Sequence, residues 1–330
     1  MFSNVSRKYI IKPYPKTMSI LGERMKTRLL DGRQLGKALT DRIRQELELA
    51  GIKPGLAVVL VGDNEASKLY VGSKQKKAQE LGMRSFLHRL PADISEDELL
   101  GEIEMLSGRD DVHGILVQLP LPSHMDPYRV QQHIPPAKDV DGLNPFNQGA
   151  LVLGRPTLVP CTPLGILYLL SAYGIPLEGK HAVIVGRSAI VGKPMALLLL
   201  EMNASVSVCH SKTKDLGRHT IQADIVVAAV GRPGLIQKTQ IKEGATVVDV
   251  GQNRLETGRL VGDADLDGLV GHAGFLTPIP GGVGPMTVAL LMWNTLLAFL
   301  LQEKPKAVRL PMLEGIHERL FGHLNLPLVS

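Results

Sequence analysis

The sequence predicts an α/β fold of two domains with mainly parallel sheets, and three observations lead to this prediction. The chain has 330 residues, which is more than one hydrophobic core usually covers. Short runs rich in β-branched residues alternate with stretches of helical periodicity, an order typical of parallel strands joined by covering helices. This alternation occurs twice, on either side of a stretch rich in proline, glycine and asparagine.

The first alternation begins with LAVVLVG, whose β-branched content indicates a buried strand. The predicted elements are strands at 56–62, 85–90 and 114–120 and helices at 66–81 and 95–106. Ser95 and Glu98 form a capping-box pattern at the start of the second helix. Residues 134–149 lack sustained periodicity, which indicates a domain boundary or an active-site loop.

The second alternation begins with a helix at 162–174, for which Thr162 is the expected N-cap and Pro163 the first helical residue. Strands follow at 181–186, 204–210, 223–231 and 245–251, with a helix at 190–202. This order is typical of a nucleotide-binding α/β unit of the Rossmann type. The most apolar segment, 288–301, is short for a membrane span, so we predict a buried helix there.

The net charge of +5 comes from the N-terminal extension. Residues 1–28 hold seven of the 37 basic residues and one of the 32 acidic residues, which leaves 30 basic and 31 acidic residues in the rest of the chain. This distribution gives no support for a nucleic-acid partner. The aromatic content of 4% also disfavours base-stacking platforms.

Cys161 and Cys209 are the only cysteines, which is too few for a disulfide framework. A reducing, cytoplasmic environment is therefore expected. The extension 1–28 lacks the apolar run of a secretory signal, although organellar targeting remains an alternative. We predict that it is disordered, or that the natural start is Met18 or Met25.

Four lysines lie at 68–77, and helical geometry separates one of them from the others. If 66–81 is helical, Lys74 falls on one arc with Tyr70, Val71 and Ala78, the face that should pack inward. A partly buried amine generally has a lowered pKa, which suits proton transfer near neutral pH. The alternative is that Lys74 extends to solvent or pairs with a carboxylate.

A glycine turn follows the strand at 181–186. It reads Gly186, Arg187, Ser188, with the next glycine at Gly192, so it departs from the G-x-G-x-x-G pattern. Backbone N–H groups at the start of the following helix can still bind a pyrophosphate. A plain strand-to-helix connection is the alternative.

The next strand ends in VCHSKT, without the acid that commonly binds the ribose 2′-hydroxyl of NAD. Ser211 and Lys212, helped by Arg187, offer hydroxyl and basic groups that suit a 2′-phosphate. The sequence therefore favours NADP over NAD. Lys212 as a solvated loop charge is the alternative.

Polar residues at loop positions complete the set of candidates. Gln118 ends a strand, where its amide is placed to hold a ligand or a catalytic amine. The alternative is a solvated glutamine at the end of the strand. Asp139 and Asp141 are turn formers, or one of them binds a cationic or amidine-like ring edge. No third ligand for a metal is evident beside them. His210 and His272 lack a nucleophile context, so structural roles are expected.

Several motifs occur together in one order: YVGSKQKKA, GILVQLPLP, KDVDGLNPFNQG, PCTPLG, VIVGRSAIVGKP, CHSKT and TPIPGGVGPMTVALLM. From about residue 29 to 302 the chain resembles the bifunctional methylenetetrahydrofolate dehydrogenase/methenyltetrahydrofolate cyclohydrolase (FolD) family. The resemblance implies two α/β domains around a cleft, the second a Rossmann-type NADP-binding domain with a mainly parallel sheet. The expected domains are 29–147 plus 286–302 for folate and 148–285 for NADP, with 303–330 as a tail of unknown role.

The resemblance implies NADP-dependent oxidation of 5,10-methylenetetrahydrofolate and hydrolysis of the methenyl product to 10-formyltetrahydrofolate, within one-carbon metabolism and purine biosynthesis. It also implies a homodimer with no nucleic-acid or membrane partner. Tyr70 would stack on the folate, Lys74 would transfer protons, Gln118 would hydrogen-bond Lys74, and Asp141 would hold the pterin. The implied coenzyme residues are Gly186, Arg187, Ser188, Ser211 and Gln252, and the implied loop bordering both ligands includes Gly282 and Pro285.

One residue departs from the family pattern, because Gln252 stands where the family usually has isoleucine. Two alternative functions are a dehydrogenase that has lost the cyclohydrolase activity and a non-catalytic binding protein. Lys74 and Gln118 speak against the first of these.

Overall fold

The computed structural model describes residues 27–303. Its first part contains β1 (Arg28–Leu29), α1 (Gly32–Ala50), β2 (Gly55–Val61), α2 (Glu65–Glu80), β3 (Arg84–Leu90), α3 (Glu96–Ser107), β4 (Gly114–Val117), α4 (Pro127–His133) and α5 (Pro145–Val152). The second part contains α6 (Cys161–Ala172), β5 (His181–Val185), α7 (Gly192–Glu201), β6 (Ser205–Cys209), α8 (Leu216–Thr220), β7 (Ile225–Ala228), β8 (Thr246–Asp249), β9 (Asn253–Arg254), β10 (Leu260–Val261), α9 (Leu266–Leu269), β11 (Phe275–Leu276) and α10 (Val283–Glu303).

The described chain divides into two compact units. One comprises residues 37–161 and 288–303, and we call it the three-stranded unit after its sheet. The other comprises 27–36 and 162–287, and we call it the six-stranded unit. The chain passes from one unit to the other within α1, α6 and α10. Relative to the division expected from the sequence, 148–161 belongs to the three-stranded unit, and 29–36 and 286–287 belong to the six-stranded unit.

The sheet of the three-stranded unit has the order β3-β2-β4, and both pairings are parallel. All seven residues of β2 are buried, as expected for a central parallel strand covered on both faces. Apolar side chains of β2 and β4 pack with Leu99, Ile103 and Leu106 of α3 in one core cluster.

The six-stranded sheet has the order β1-β11-β8-β7-β5-β6, with every pairing parallel. From β5 the chain adds β6 on one side and then returns to place β7 on the other side. The strand order therefore reverses at β5, and doubly wound sheets bind ligands beyond the carboxyl ends of the strands at such a point. The sheet class predicted from the sequence is confirmed.

Most elements expected from periodicity are present, with shifts of a few residues at their ends. The Ser95–Glu98 capping box is confirmed. Thr162 as an N-cap is wrong, because α6 already begins at Cys161. The stretch 134–149 is not wholly irregular, since α5 begins at Pro145 with the side chain of Asn144 capping it. The sequence reasoning did not identify α1.

Thr27 and Arg28, which the sequence analysis assigned to the extension 1–28, form part of the described fold. Thr27 Oγ1 donates to the carbonyl of Ala273 at 2.7 Å, and Arg28 belongs to β1, which pairs with β11. Residues 1–26 and 304–330 lie outside the described residues, and so do the predictions made for them.

The last helix, α10, has 21 residues and a mean hydropathy of 1.7 over its most apolar window, so by length and composition it is able to cross a membrane. Inside the molecule 72% of that window is buried, as in a core helix. The helix is longer than the apolar segment that predicted it. Buried Asn294 donates to the carbonyls of Val140 at 2.9 Å and Val159 at 2.8 Å.

Candidate active site

Lys74 lies on the buried face of α2, as the helical arc predicts. The helix starts at an Asn64 cap whose side chain accepts from Ser67 N, and its buried residues are Ser67, Val71, Lys74 and Ala78. The Lys74 side chain is only 9% exposed. Its Nζ donates to Gln118 Oε1 at 2.9 Å.

Gln118 is held in one orientation at the end of β4. Its backbone N–H donates to Val59 O at 2.9 Å, and its side-chain Nε2 donates to Leu119 O at 2.6 Å. The amide therefore has its Nε2 occupied and presents Oε1 to Lys74. In the described part of the chain, the amine pairs with this neutral acceptor and makes no ion pair with a carboxylate.

Tyr70 precedes Lys74 by one turn of α2 and is 40% exposed. Its expected place on the inward-packing face is therefore wrong, since the buried face consists of Ser67, Val71, Lys74 and Ala78. The helix thus presents an accessible aromatic ring next to a buried amine. This pairing suits a flat ligand whose reacting end reaches the amine, since ring faces bind one another by offset stacking.

The two aspartates of KDVDG have different environments. Asp139 is fully buried, and its Oδ2 accepts from Asn144 N at 2.7 Å and from Asn147 Nδ2 at 2.8 Å. Burial raises the pKa of Asp139 to about 6, although these hydrogen bonds oppose the shift. Asp141 is only partly buried. Asp139 therefore shapes the loop, and Asp141 is the carboxylate that a ligand can reach.

Gly142 next to Asp141 is required by this loop. Its φ is +69°, and a Cβ there would lie 2.5 Å from both Pro160 N and Val159 C. Two backbone segments thus meet at a distance that only glycine permits.

The sequence reasoning missed two residues that contact this loop. Cys161 Sγ donates to Val140 O at 3.2 Å, and Asn294 donates to the same carbonyl. Burial raises the pKa of the Cys161 thiol well above its ordinary value, and the neighbouring Asp141 charge raises it further. PCTPLG was recognised as a motif, but nothing in its spacing placed the thiol beside Asp141.

The predicted coenzyme turn lies in the six-stranded unit, after β5. A Cβ at Gly186 would lie 2.2 Å from Ala229 O, and one at Gly192 would lie 2.2 Å from Gly186 O. Ser188 Oγ accepts from Val191 N at 3.1 Å, so its hydroxyl supports the start of α7. Within residues 27–303 the N–H groups of 187–190 donate to no protein acceptor. A turn with free N–H groups at a helix start fits a pyrophosphate.

Ser211 follows β6, which pairs with β5 in register up to Val185 and Cys209. Gly186 N donates to Cys209 O at 2.9 Å, so the two turns adjoin. Ser211, Lys212 and Arg187 are exposed, and in the described chain neither cation forms an ion pair. These groups fit a 2′-phosphate. His210 caps its own turn by accepting from Lys212 N, and His272 contacts Ile241 O, which are structural roles.

Gln252 and the loop with Gly282 and Pro285 also belong to the six-stranded unit. Gln252 Nε2 would lie 2.9 Å from a Cβ at Gly284. The amide that stands in place of isoleucine therefore covers the first turn of α10. Gly282 packs on Thr277 and Pro278, and a Cβ at this position would lie 2.7 Å from Thr277 Cβ.

The site residues thus form two groups, one in each unit. Lys74, Gln118, Tyr70 and Asp141 belong to the three-stranded unit. The predicted coenzyme residues and the Gly282–Pro285 loop belong to the six-stranded unit. No three histidine, cysteine or acidic side chains among residues 27–303 group as metal ligands would.

Comparison with known families identifies the class of this protein. The model of the tetrahydrofolate dehydrogenase/cyclohydrolase catalytic domain matches residues 30–141, and that of the NAD(P)-binding domain of the same family matches residues 160–303. The chain belongs to the tetrahydrofolate dehydrogenase/cyclohydrolase family. The resemblance seen in the sequence motifs is confirmed.

Individual relatives support this assignment. The bifunctional protein FolD of Polaromonas naphthalenivorans is 52% identical over 275 residues, which covers 82% of this chain and 98% of the relative. The crystal structure of FolD from Campylobacter jejuni is 48% identical, with a TM-score of 0.82, covering 84% of this chain and 99% of that one. The Trypanosoma brucei enzyme, crystallised with NADP and an inhibitor, is 38% identical with a TM-score of 0.82, covering 85% and 99%.

Proposed function

We infer that this protein is a bifunctional enzyme of folate one-carbon metabolism. It oxidises 5,10-methylenetetrahydrofolate with NADP⁺ and hydrolyses the resulting 5,10-methenyltetrahydrofolate to 10-formyltetrahydrofolate, a one-carbon donor for purine biosynthesis. Family membership supports both activities. The observation that carries the hydrolytic activity is the hydrogen bond from buried Lys74 to Gln118, because a dehydrogenase alone has no need of a proton acceptor there.

Asp141 and Tyr70 bind the substrate in this proposal. The Asp141 carboxylate accepts hydrogen bonds from the amino-pyrimidine edge of the pterin, a charge-assisted contact. Tyr70 stacks on the folate next to it. Cys161 and Asn294 hold the carbonyl of Val140, and so fix the loop from which Asp141 reaches the ligand.

Lys74 serves the hydrolysis by moving a proton. Water adds to the carbon of the methenyl cation, and Lys74 Nζ accepts a proton from that water as the C–O bond forms. The proton then passes to N5 of the pterin as the C–N5 bond breaks, and the remaining hydroxyl proton leaves to solvent as the C=O bond of the formyl group on N10 forms. Gln118 orients the amine, since its Oε1 accepts from Nζ and its own Nε2 is occupied by Leu119 O.

The six-stranded unit holds the coenzyme. When bound, NADP⁺ supplies the acceptor for the hydride that leaves the one-carbon bridge, a step that depends mainly on positioning. The free N–H groups of 187–190 would bind the pyrophosphate. Gln252 would border the nicotinamide end of the coenzyme.

Ser211 contributes to the 2′-phosphate site, so Ser211→Asp is expected to shift preference from NADP towards NAD. A carboxylate at this position repels the phosphate and accepts from a ribose hydroxyl, and we expect the ratio of kcat/KM values for the two coenzymes to change about 100-fold. Ser205→Asp, at the opposite end of β6, is the matched control. An unchanged ratio would rule out this site.

Product analysis tests the bifunctional activity. Full-length protein is supplied with methylenetetrahydrofolate and NADP⁺, and NADPH, methenyl compound and 10-formyl product are followed together. We expect 10-formyltetrahydrofolate to form faster than uncatalysed hydrolysis allows. Methenyl compound that disappears only at the uncatalysed rate would indicate a monofunctional dehydrogenase, and no NADPH would indicate a non-catalytic protein.

We also propose that the protein acts as a homodimer in the cytoplasm, without a membrane or nucleic-acid partner. Two free, buried cysteines suit a reducing compartment. Light scattering on the purified chain tests the dimer, since a monomeric mass at micromolar concentration would contradict it.

A further inference from the structure

Two buried carboxylates in the six-stranded unit have no role in the site described so far. Asp249 ends β8 and is 1% exposed, and Asp263 follows β10 and is fully buried. Neither forms an ion pair with a basic side chain in the described chain. A buried carboxylate without an ion pair must instead be stabilised by hydrogen-bond donors.

Asp249 receives backbone hydrogen bonds from two segments. Its Oδ1 accepts from Gly251 N at 2.8 Å and from Asp263 N at 2.9 Å, and its Oδ2 accepts from Ala264 N at 2.7 Å. Asp249 therefore fixes the backbone on both sides of the second acid.

Asp263 in turn binds four donors. Its Oδ2 accepts from Val230 N at 2.6 Å and Gly231 N at 3.0 Å, and its Oδ1 accepts from Arg232 N at 2.8 Å and Asn253 Nδ2 at 3.0 Å. One carboxylate thus holds three consecutive N–H groups of the turn after β7 and joins them to the segment after β8.

Glycines make room for each acid in a reciprocal arrangement. A Cβ at Gly262 would lie 1.9 Å from Asp249 Oδ2, and a Cβ at Gly251 would lie 2.3 Å from Asp263 Oδ1. Each carboxylate occupies the space that a side chain next to the other would need. The two aspartates and the two glycines therefore pack together as one structural unit, which we call the carboxylate clasp (Asp249, Gly251, Gly262, Asp263).

The turn that the clasp holds adjoins the coenzyme turn. β7 pairs with β5, and Ala229 N donates to Val185 O at 2.8 Å. A Cβ at Gly186 would lie 2.2 Å from Ala229 O. The turn 229–232 therefore begins in direct contact with the Gly186 turn. Asn253, the fourth donor, directly follows Gln252.

We propose that Asp263, fixed by Asp249, is a positioning residue for the coenzyme: its carboxylate shapes the 230–232 turn and the 252–253 segment that flank the NADP site. This inference rests on the proposed function. Removing the charge leaves backbone donors without an acceptor, and the turn must rearrange to reach other partners. Coenzyme affinity then falls, while the hydrolysis site in the other unit keeps its residues.

Asp263→Asn in the full-length protein tests the proposal. The amide is nearly isosteric but turns an NH₂ group towards N–H donors. We expect the Kd for NADPH, measured by its fluorescence, to rise about tenfold or more. Cyclohydrolase kcat/KM, measured with methenyltetrahydrofolate and no coenzyme, is expected to stay within about twofold.

Three further variants separate positioning from general stability. Asp267→Asn makes the same change at an exposed side chain of α9 and is expected to leave the Kd unchanged. Val226→Ala weakens the buried core of β7, and we expect it to lower the Tm without raising the Kd. Asn253→Ala removes one donor from the clasp and is expected to raise the Kd about threefold, which decides the question if Asp263→Asn does not fold.

Wild-type NADPH binding is measured first, because its absence would refute the proposed function and not the clasp. Given wild-type binding, a Kd within about twofold of wild type for folded Asp263→Asn overturns the proposal. An unchanged Kd for Asn253→Ala overturns it if Asp263→Asn is unfolded. An equal rise in Kd for Val226→Ala at the same Tm loss would also overturn it, since the effect would then be one of stability.

Discussion

Lys74→Met is expected to reduce cyclohydrolase kcat by about 1,000-fold or more, the range lost when a positioned acid–base group is removed. Methionine fills much of the same space but accepts no proton, and it leaves Gln118 Oε1 without its donor. Folate binding is expected to weaken by less than about tenfold, because Asp141 and Tyr70 remain. Hydrolysis of methenyltetrahydrofolate and folate binding are measured on the same preparation.

Lys76→Met is the matched control, since Lys76 lies on the exposed face of the same helix. It is expected to leave both measurements close to wild type. Hydrolysis near the wild-type rate in Lys74→Met would refute the role of this amine, and an equal loss in the control would indicate damage to α2.

Gly142→Ala is expected to lower the free energy of unfolding by more than about 3 kcal/mol. The φ of +69° is unfavourable for alanine, and the new methyl group would collide with backbone atoms of Val159 and Pro160 at 2.5 Å. Backbone atoms have no rotamer with which to move aside, so the loop must shift as a whole. Because Asp141 is the preceding residue, we also expect weaker folate binding. Chemical denaturation and a folate titration measure the two effects.

Gly149→Ala in α5 is the control of opposite sign. No atom lies within 4 Å of its Cβ position, and alanine is favoured over glycine inside a helix by about 1 kcal/mol. This variant is therefore expected to be slightly more stable than wild type. If Gly142→Ala proved as stable as Gly149→Ala, the close approach at residue 142 would be disproved.

Local pattern was enough to predict much of the fold. The apolar run of β2, the periodicity of α2 and the Ser95–Glu98 box each depend on residues close in sequence, and the structure contains all three. Ends of elements were less predictable, as at Thr162, because the start of α6 depends on contacts that a local pattern does not contain. Helix α5 was missed because glycine, asparagine and proline interrupt its periodicity.

The sequence by itself determined which lysine faces inward and that VCHSKT, at the end of β6, contains no acid, because helical angle and strand order follow from position in the chain. Only the tertiary structure decided that Lys74 meets an amide, that Asp139 is buried while Asp141 is accessible, and that Cys161 lies beside it. It alone revealed the carboxylate clasp, whose donors come from segments far apart in the chain. The physical reason is that packing between segments far apart in the chain sets the burial of a side chain and its hydrogen-bond partners. A local sequence pattern does not show which distant segments will meet.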